Sequence, residues 1–417
     1  MANTVDVAVI GGGPAGIAAA TAAAKTGVSV LLIEREARLG GILKQCIHDG
    51  FGVIRYGEKL SGPEYAYIDI MALEETRARI MLQTFVTRIE RRNGKFILTL
   101  VNKGGLIQVQ AGRLVLATGC RERTSKQVAI HGARPSGVFT AGSAQYYTNV
   151  LGQLPTKRCV ILGSGDIGMI MARRLTLEGA EVLGVYEAQA SPGGLLRNVL
   201  QCLNDFEIPL RLGHTVTRLV GSERLKAVVI SQVDKSLNPI PGTEKIVKCD
   251  ALILSVGLIP ENELAETLGA EISLHTRGPV CDQNNMTMID GLFSCGNAMH
   301  VNDVVDYVSE SGEVAGFFAA HYTGAARSLI TVSASEDFHY VVPQVIDISS
   351  TRKDAIMFFR TGKAQQNMIV KVYADGAEIF QKHYSHLRPP EMQRIEVNLG
   401  DQLSQSSKIT LRMERAQ

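Results

Sequence analysis

The sequence predicts an α/β fold, with two parallel-sheet domains and an antiparallel β domain at its C-terminal end. Three observations carry this. A short apolar strand, a glycine loop, a small-residue helix and a second strand follow one another over residues 5–34, and the same series returns over 158–187. Residues 331–417 show period-two alternation and hairpin turns instead, with no glycine-rich loop of that kind. The bulk numbers agree. At about 150 residues per domain, 417 residues make two or three domains. An apolar content of 45% with 20% charged residues is a globular composition.

The first unit opens with VDVAVI at 5–10, a short apolar run of the β-branched kind that suits a buried parallel strand. GGGPAG follows at 11–16, then the helical stretch IAAATAAAKTG and the strand VSVLLIE. Gly11, Gly13 and Gly16 fit GxGxxG. The first glycine permits a tight turn, the second lets the backbone approach a pyrophosphate, and the third lets the helix pack on the strand. The helix N-terminus then presents free N–H groups and a positive dipole end to phosphates. Glu34 ends the second strand, 23 residues after Gly11. A carboxylate there accepts hydrogen bonds from ribose hydroxyls. The series as a whole predicts a Rossmann-like dinucleotide-binding domain.

Residues 82–116 read as a small antiparallel meander. LQTFVTRIER, GKFILTLV and LIQVQAGRLVLATG are separated by Asn93-Gly94 and Gly104-Gly105, both hairpin signals.

The second unit starts at Arg158 with the strand CVIL. Gly163, Gly165 and Gly168 form a second GxGxxG, and Glu187 ends the next strand 24 residues beyond Gly163. Two complete units require two dinucleotides, or one dinucleotide and a relic, and the regularity of the second unit argues against a relic. A carboxylate at Glu187 bonds a free 2′-hydroxyl and repels a 2′-phosphate. The following AQASPGG holds no Arg or Lys to receive a phosphate, so NADH is favoured over NADPH.

Beyond residue 331, NMIVKVYA and AEIFQKHY flank Asp375-Gly376, a hairpin signature. Ile395, Val397 and Leu399 alternate with polar residues, as do Ile409, Leu411 and Met413, which implies strands with one buried face. Eleven basic residues against ten acidic ones make this no nucleic-acid arm. Packing, dimerisation and docking of a partner are all open for it.

Several classes fall away. Lys+Arg is 43 and Asp+Glu 41, a formal net charge of +2, which gives no electrostatic case for nucleic acid or an anionic membrane. No apolar run reaches the roughly 18–20 residues of a transmembrane helix, so no integral membrane segment is expected. The N-terminus has no basic n-region or cleavage pattern, which reads as cytoplasmic. Seven cysteines are scattered without CxxC, CxxxxC or a Cys/His cluster, so no metal site is expected.

The two fingerprints, together with LVLATG (114–119), ALILSVGLIP (251–260) and GLFSCGN (291–297), resemble the FAD-dependent pyridine-nucleotide oxidoreductases that carry two dinucleotide-binding domains. ILKQCIHDGFG, LATGCRERT and HVNDVVDYVSESGEVAG are similar to bacterial flavoproteins found beside glycerol-3-phosphate dehydrogenase-type and amine or amino-acid dehydrogenase subunits. The resemblance implies a discontinuous FAD domain at 1–122 and 283–330 and an NAD domain at 123–282, and the alternating strands make 331–417 a small β-rich C-terminal domain. It implies FAD contacts at Gly11, Gly13, Pro14, Ala15, Gly16, Glu34, Arg35, Gly41, Val86, Thr118, Gly119, Gly296 and Asn297, with Val86 passing the adenine. It implies NAD contacts at Gly163, Gly165, Gly168, Glu187 and Gly257. One departure is Asn297, where the family's late motif ends in Asp. The other is the dithiol of the disulfide reductases: the matching stretch, LGGILKQCIHDGFG, has only Cys46.

The expected function is therefore FAD-dependent oxidoreduction. Hydride passes between NAD(P)H and flavin and then to a small-molecule acceptor, without a redox-active dithiol. The alternative is an electron-transfer subunit of a glycerol-3-phosphate or amine/amino-acid dehydrogenase complex, with a partner dehydrogenase subunit. Self-association is left open. Cys46 and His48 are the catalytic candidates, as a redox thiol and an acid/base near flavin N5, against a reading in which both only pack in their loop. Asp303, Asp306, Glu310 and Glu313 fall at helical spacing and read as a solvated or capped helix face.

Overall fold

The computed structural model describes residues 3–400 and 402–416. Met1, Ala2, Asp401 and Gln417, which the expected domain ranges and the N-terminal reading include, lie outside them. The chain forms two compact units. One runs from the N-terminus to Cys120 and resumes at Pro260, and the other is Arg121–Ile259. Among the described residues no helix is long and apolar enough to cross a membrane.

The first unit is built on a seven-stranded sheet. Its spatial order is Arg79–Met81, Val30–Ile33, Asn3–Ile10, Gly105–Leu116, Lys95–Asn102, Phe85–Arg92, with Leu292–Ser294 also paired to Gly105–Leu116. The nucleotide-fold strands are parallel, Val9 lying opposite Leu32 on one side and Val115 on the other. The meander is antiparallel, Leu98 facing Ile89 and Val109. Its first turn uses Asn93 at φ 50° and Gly94 at φ 73°, the left-handed pair that a two-residue hairpin favours.

Two helices cross unusually closely in this unit. Pro14–Lys25 is alanine-rich, and Val305–His321 presents glycines to it. A Cβ on Gly312 would come within 2.1 Å of the Ala15 carbonyl oxygen, and one on Gly316 within 2.1 Å of that of Ala19. The crossing is sealed by the buried side chains of Ile17, Val115, Phe293 and Val308. It also seats the chain around Gly296 against the first glycine loop, since a Cβ on Gly296 would lie 2.8 Å from the Ala15 Cβ.

The C-terminal strands form two sheets. Val345–Asp347, Leu329–Ala334, Ile409–Arg415, Gln365–Ala374 and Ala377–Leu387 make one, and Phe338–Val342, Asp354–Thr361 and Gln393–Asn398 the other. They enclose a shared core of Met357, Phe359, Val370, Val372, Val397, Ile409 and Leu411, a sandwich arrangement. The hairpin at Asp375-Gly376 forms, with Ala374 opposite Ala377. The antiparallel domain expected here forms, with one parallel pair in it: Leu329–Ala334 runs parallel to Ile409–Arg415.

The second unit carries a parallel sheet in the order Val138–Thr140, Ala251–Leu254, Arg158–Leu162, Glu181–Glu187, Leu210–Leu212. A three-stranded antiparallel sheet accompanies it, made of His214–Val220, Ala227–Gln232 and Lys245–Lys248.

The unit boundaries differ from the expected 123–282 and 331–417. Residues 260–282 pack in the first unit: Ala265 and Ala270 join the core of Val5, Ala8 and Leu114, and the Asn262 side-chain amide donates to the Arg277 and Ala298 carbonyls, both at 2.8 Å. The sandwich also belongs to the first unit. Gln283 and Asp347 exchange two hydrogen bonds of 2.8 Å, and Val342 shares a buried cluster with Cys281 and Met299.

Candidate functional site

In the first unit the strand Asn3–Ile10 delivers the chain to Gly11, whose φ of +105° a side chain rarely adopts. A Cβ there would strike the Ala117 carbonyl oxygen at 2.3 Å, so strand and loop touch backbone to backbone. Gly16 is equally obligatory, its Cβ falling 1.7 Å from the Gly11 carbonyl oxygen. Gly13 is different: the nearest heavy atom to its Cβ would be the Gly41 Cα, 3.8 Å away. Gly13 caps the helix with no side-chain hydrogen bond, and Pro14 stands in the first turn. The uncapped helix end and the open space before Gly13 fit a pyrophosphate.

Glu34 is buried, and its carboxylate is fixed from two sides. Oε2 accepts the Gly12 N–H at 2.6 Å and Oε1 the Glu36 N–H at 2.7 Å. The remaining lone pairs are what a ribose would use. Gly41 faces Gly13, a Cβ on it reaching the Gly13 Cα at 2.8 Å. Thr118 donates its hydroxyl to the Glu261 carbonyl at 2.6 Å, and Gly119 takes φ +72°. Gly296, at φ +60°, donates its N–H to Ser311 Oγ at 2.7 Å. Asn297 points its oxygen at the Asn302 N–H, 3.0 Å away, and its amide at Cys120 Sγ, 3.5 Å away. These expected residues therefore gather around one loop and helix end. Two stand apart. Arg35 is largely exposed and ion-paired to Glu261 at 3.5 Å. Val86 turns its side chain into the core with Leu98 and Leu114.

Cys46 lies buried under the loop that follows. Its thiol donates to the Ile42 carbonyl at 3.4 Å, and burial pushes its pKa up to about 12. It is a protonated thiol at neutral pH and a poor nucleophile. His48 has Nδ1 3.1 Å from the Asp49 carbonyl oxygen and its ring 5.0 Å from Phe51, while Nε2 is buried with no partner among the described residues. The four carboxylates all have partners, Asp303 and Glu313 while exposed and Asp306 while buried. Asp306 accepts the Arg55 N–H at 2.8 Å, Glu313 pairs with Arg55 at 2.7 Å, Glu310 pairs with Arg394 at 2.6 Å, and Asp303 pairs with Arg360.

The second unit repeats the design with different side chains. Gly163, at φ +97°, lies against the Ser255 carbonyl oxygen, which its Cβ would meet at 2.0 Å. Gly168 abuts Gly163 in the same way, at 2.6 Å from its carbonyl oxygen. Gly165 caps the helix Asp166–Leu177 without a side-chain bond. Glu187 Oε2 accepts from the Ser164 N–H at 2.9 Å and its hydroxyl at 2.8 Å, and Oε1 from the Gln189 N–H at 2.9 Å. Gly257, at φ +101°, lies by Arg123, whose N–H reaches its carbonyl at 3.0 Å.

Sequence reasoning missed Ser164, Asp166 and the strap over them. Gly193 donates to Ser164 Oγ at 2.9 Å, and Asp166 Oδ1 accepts from the Leu195 N–H at 2.8 Å and the Asn198 amide at 2.6 Å. A signal existed. Glu34 and Glu187 are each followed by Gly-Gly at the same interval, at 40–41 and 193–194.

Two glycine loops over uncapped helix ends, each beside a strand-end carboxylate on a parallel sheet, define a chain with two dinucleotide-binding folds. The sequence profile of the pyridine nucleotide-disulphide oxidoreductases matches residues 5–332, and the chain belongs to that family of FAD-dependent enzymes. Hydrogen cyanide synthase subunit HcnB of Pseudomonas protegens is 29% identical over 63% of this chain, which spans 58% of the length of that relative. An opine oxidase subunit of Agrobacterium tumefaciens is 25% identical over 80% of this chain and 68% of its own length. Among solved structures, thioredoxin reductase of T. acidophilum has the same fold, with a TM-score of 0.63 at 21% identity over 76% of this chain and 98% of its own.

Proposed function

We propose that this chain exchanges hydride between NADH and FAD and passes the electrons on without a thiol relay. The observation that carries the reading is the pair of preset carboxylates, Glu34 held by the Gly12 N–H and Glu187 by Ser164. Each is an anchor for a ribose beside a bare helix end. FAD, when bound, supplies the two-electron chemistry. In this reading Gly13, Pro14, Ala15 and Gly16 seat its pyrophosphate, Glu34 orients its ribose, and Gly41, Thr118, Gly119, Gly296 and Asn297 complete its cradle. Gly163, Gly165, Gly168 and Gly257 line the nicotinamide nucleotide's site. Glu187 accepts from its ribose hydroxyls and repels a 2′-phosphate, which supports NADH over NADPH. The elevated, buried thiol of Cys46 supports direct transfer from the flavin.

The names of HcnB and of the opine oxidase relative favour a second reading. In it the chain serves as the electron-transfer subunit beside a partner that oxidises an amine or amino acid.

Anaerobic stopped-flow mixing of the flavin-loaded chain with NADH tests the first reading. The flavin absorbance should bleach, more slowly with NADPH, and Glu187→Ala should narrow that difference. No bleaching sinks the hydride reading, and faster reduction by NADPH sinks the role of Glu187. Turnover that appears only with a co-purified dehydrogenase would select the second reading.

A further inference from the structure

The C-terminal sandwich grips the segment that follows Gly296-Asn297. Arg360, on the strand Asp354–Thr361, is 15% exposed, and each of its three nitrogens donates a hydrogen bond. Its Nε donates to the Tyr340 hydroxyl at 2.9 Å, Nη1 to the Pro390 carbonyl, and Nη2 to the Val301 carbonyl at 3.3 Å and to Asp303. The Met392 N–H holds the other oxygen of Asp303 at 2.6 Å. Farther along, on the helix Val305–His321, Arg394 makes two bonds to Glu310, at 3.0 and 2.6 Å. Tyr340 and Phe358 flank the His300 ring at 6.1 and 5.1 Å.

The consequence lies in Asn302. It stands between Val301 and Asp303, the two residues that Arg360 holds. Its N–H and side-chain amide reach the Asn297 side-chain oxygen at 3.0 and 3.3 Å. Asn297 has an amide where the family's late motif has a carboxylate, so its orientation decides whether oxygen or nitrogen meets a ligand. A planar guanidinium that bonds a carbonyl, a carboxylate and a phenol at once fixes a loop far better than one ammonium.

We propose that Arg360 is a positioning residue for FAD. It clamps residues 301–303, Asn302 thereby orients Asn297, and the sandwich acts as the clamp's rigid mount. This rests on the reading that FAD occupies the first unit.

The test is FAD release from the 417-residue chain, followed by recovery of flavin fluorescence after dilution, with the visible spectrum of the bound flavin recorded beforehand. Arg360→Ala and Asp303→Ala should each speed release about tenfold and alter the shape of the bound-flavin band. Arg360→Lys should restore part of the loss. Leu175→Ala, in the buried core of the second unit, should lower the melting temperature without changing release. The proposal falls if both clamp variants release FAD at the wild-type rate, or if Leu175→Ala speeds release as much as they do. A wild type that holds no FAD after reconstitution overturns the FAD reading itself, and the proposal with it.

Discussion

Gly13 and Gly16 belong to one motif and meet opposite fates on gaining a methyl group. At Gly16 the methyl would overlap the Gly11 carbonyl oxygen at 1.7 Å, whereas at Gly13 it would meet nothing nearer than 3.8 Å. One glycine is needed by the fold, the other only by a ligand. Gly13→Ala should therefore melt within a few degrees of wild type and yet bind FAD at least tenfold more weakly, about 1.4 kcal/mol. Differential scanning fluorimetry and fluorescence titration of the apoprotein measure the two halves, and unchanged affinity would mean that no pyrophosphate lies against Gly13. The motif was legible because its spacing is local and its chemistry is in the backbone. Cys46 was legible as a position but not as an environment, since its neighbours include Gly62, sixteen residues on, where an added Cβ would lie 2.9 Å from the Cys46 Cβ. Ser164 was not legible at all: a serine between two glycines says nothing until its hydroxyl is seen on Glu187.

Elements followed the sequence wherever their signal was local and failed to where pairing was remote. The meander and the Asp375-Gly376 hairpin form because each turn fixes the register of the strands beside it. Alternation in 409–415 announced a buried face but not a neighbour, and the parallel partner at 329–334 lies a whole sandwich away in sequence. The same limit hid the seam between the sandwich and the segment after Gly296–Ala298, where the His300 ring is buried between Tyr340 and Phe358. Burial, and secondarily the charge of Arg360, push its pKa down to about 3 from 6.5. The folded protein therefore refuses a proton that the unfolded chain accepts. The stability this neutral ring contributes is complete above about pH 6.5 and is lost as pH falls toward 3, by up to about 1.4 kcal/mol per unit. His300→Phe keeps an aromatic ring between Tyr340 and Phe358 and removes the titrating group. It should melt close to wild type at pH 7.5 and above it at pH 5. Equal melting temperatures of the two proteins at both pH values would show that His300 does not titrate on unfolding.

On the scale of the whole chain, one nucleotide-binding plan is used twice, and the redox question turns on what lies outside it. Six of the seven cysteines are buried. Burial lifts Cys46, Cys159 and Cys295 to about 12 and Cys249 to about 11, so none of these four is a thiolate at neutral pH. A family named for disulphide reduction thus meets a chain whose loop after the first strand-end acid holds a single, protonated thiol. Electrons that reach the flavin should then leave it directly. Anaerobic titration with NADH should consume about one two-electron equivalent per FAD, whereas a flavin coupled to a disulfide would take up about two. Cys46→Ser should reduce within a few-fold of the wild-type rate, because a buried thiol that never ionises contributes packing and no electrons. Uptake of a second equivalent, or a Cys46→Ser protein whose flavin reduces normally but which no longer turns over, would put a cysteine on the electron path and overturn direct transfer.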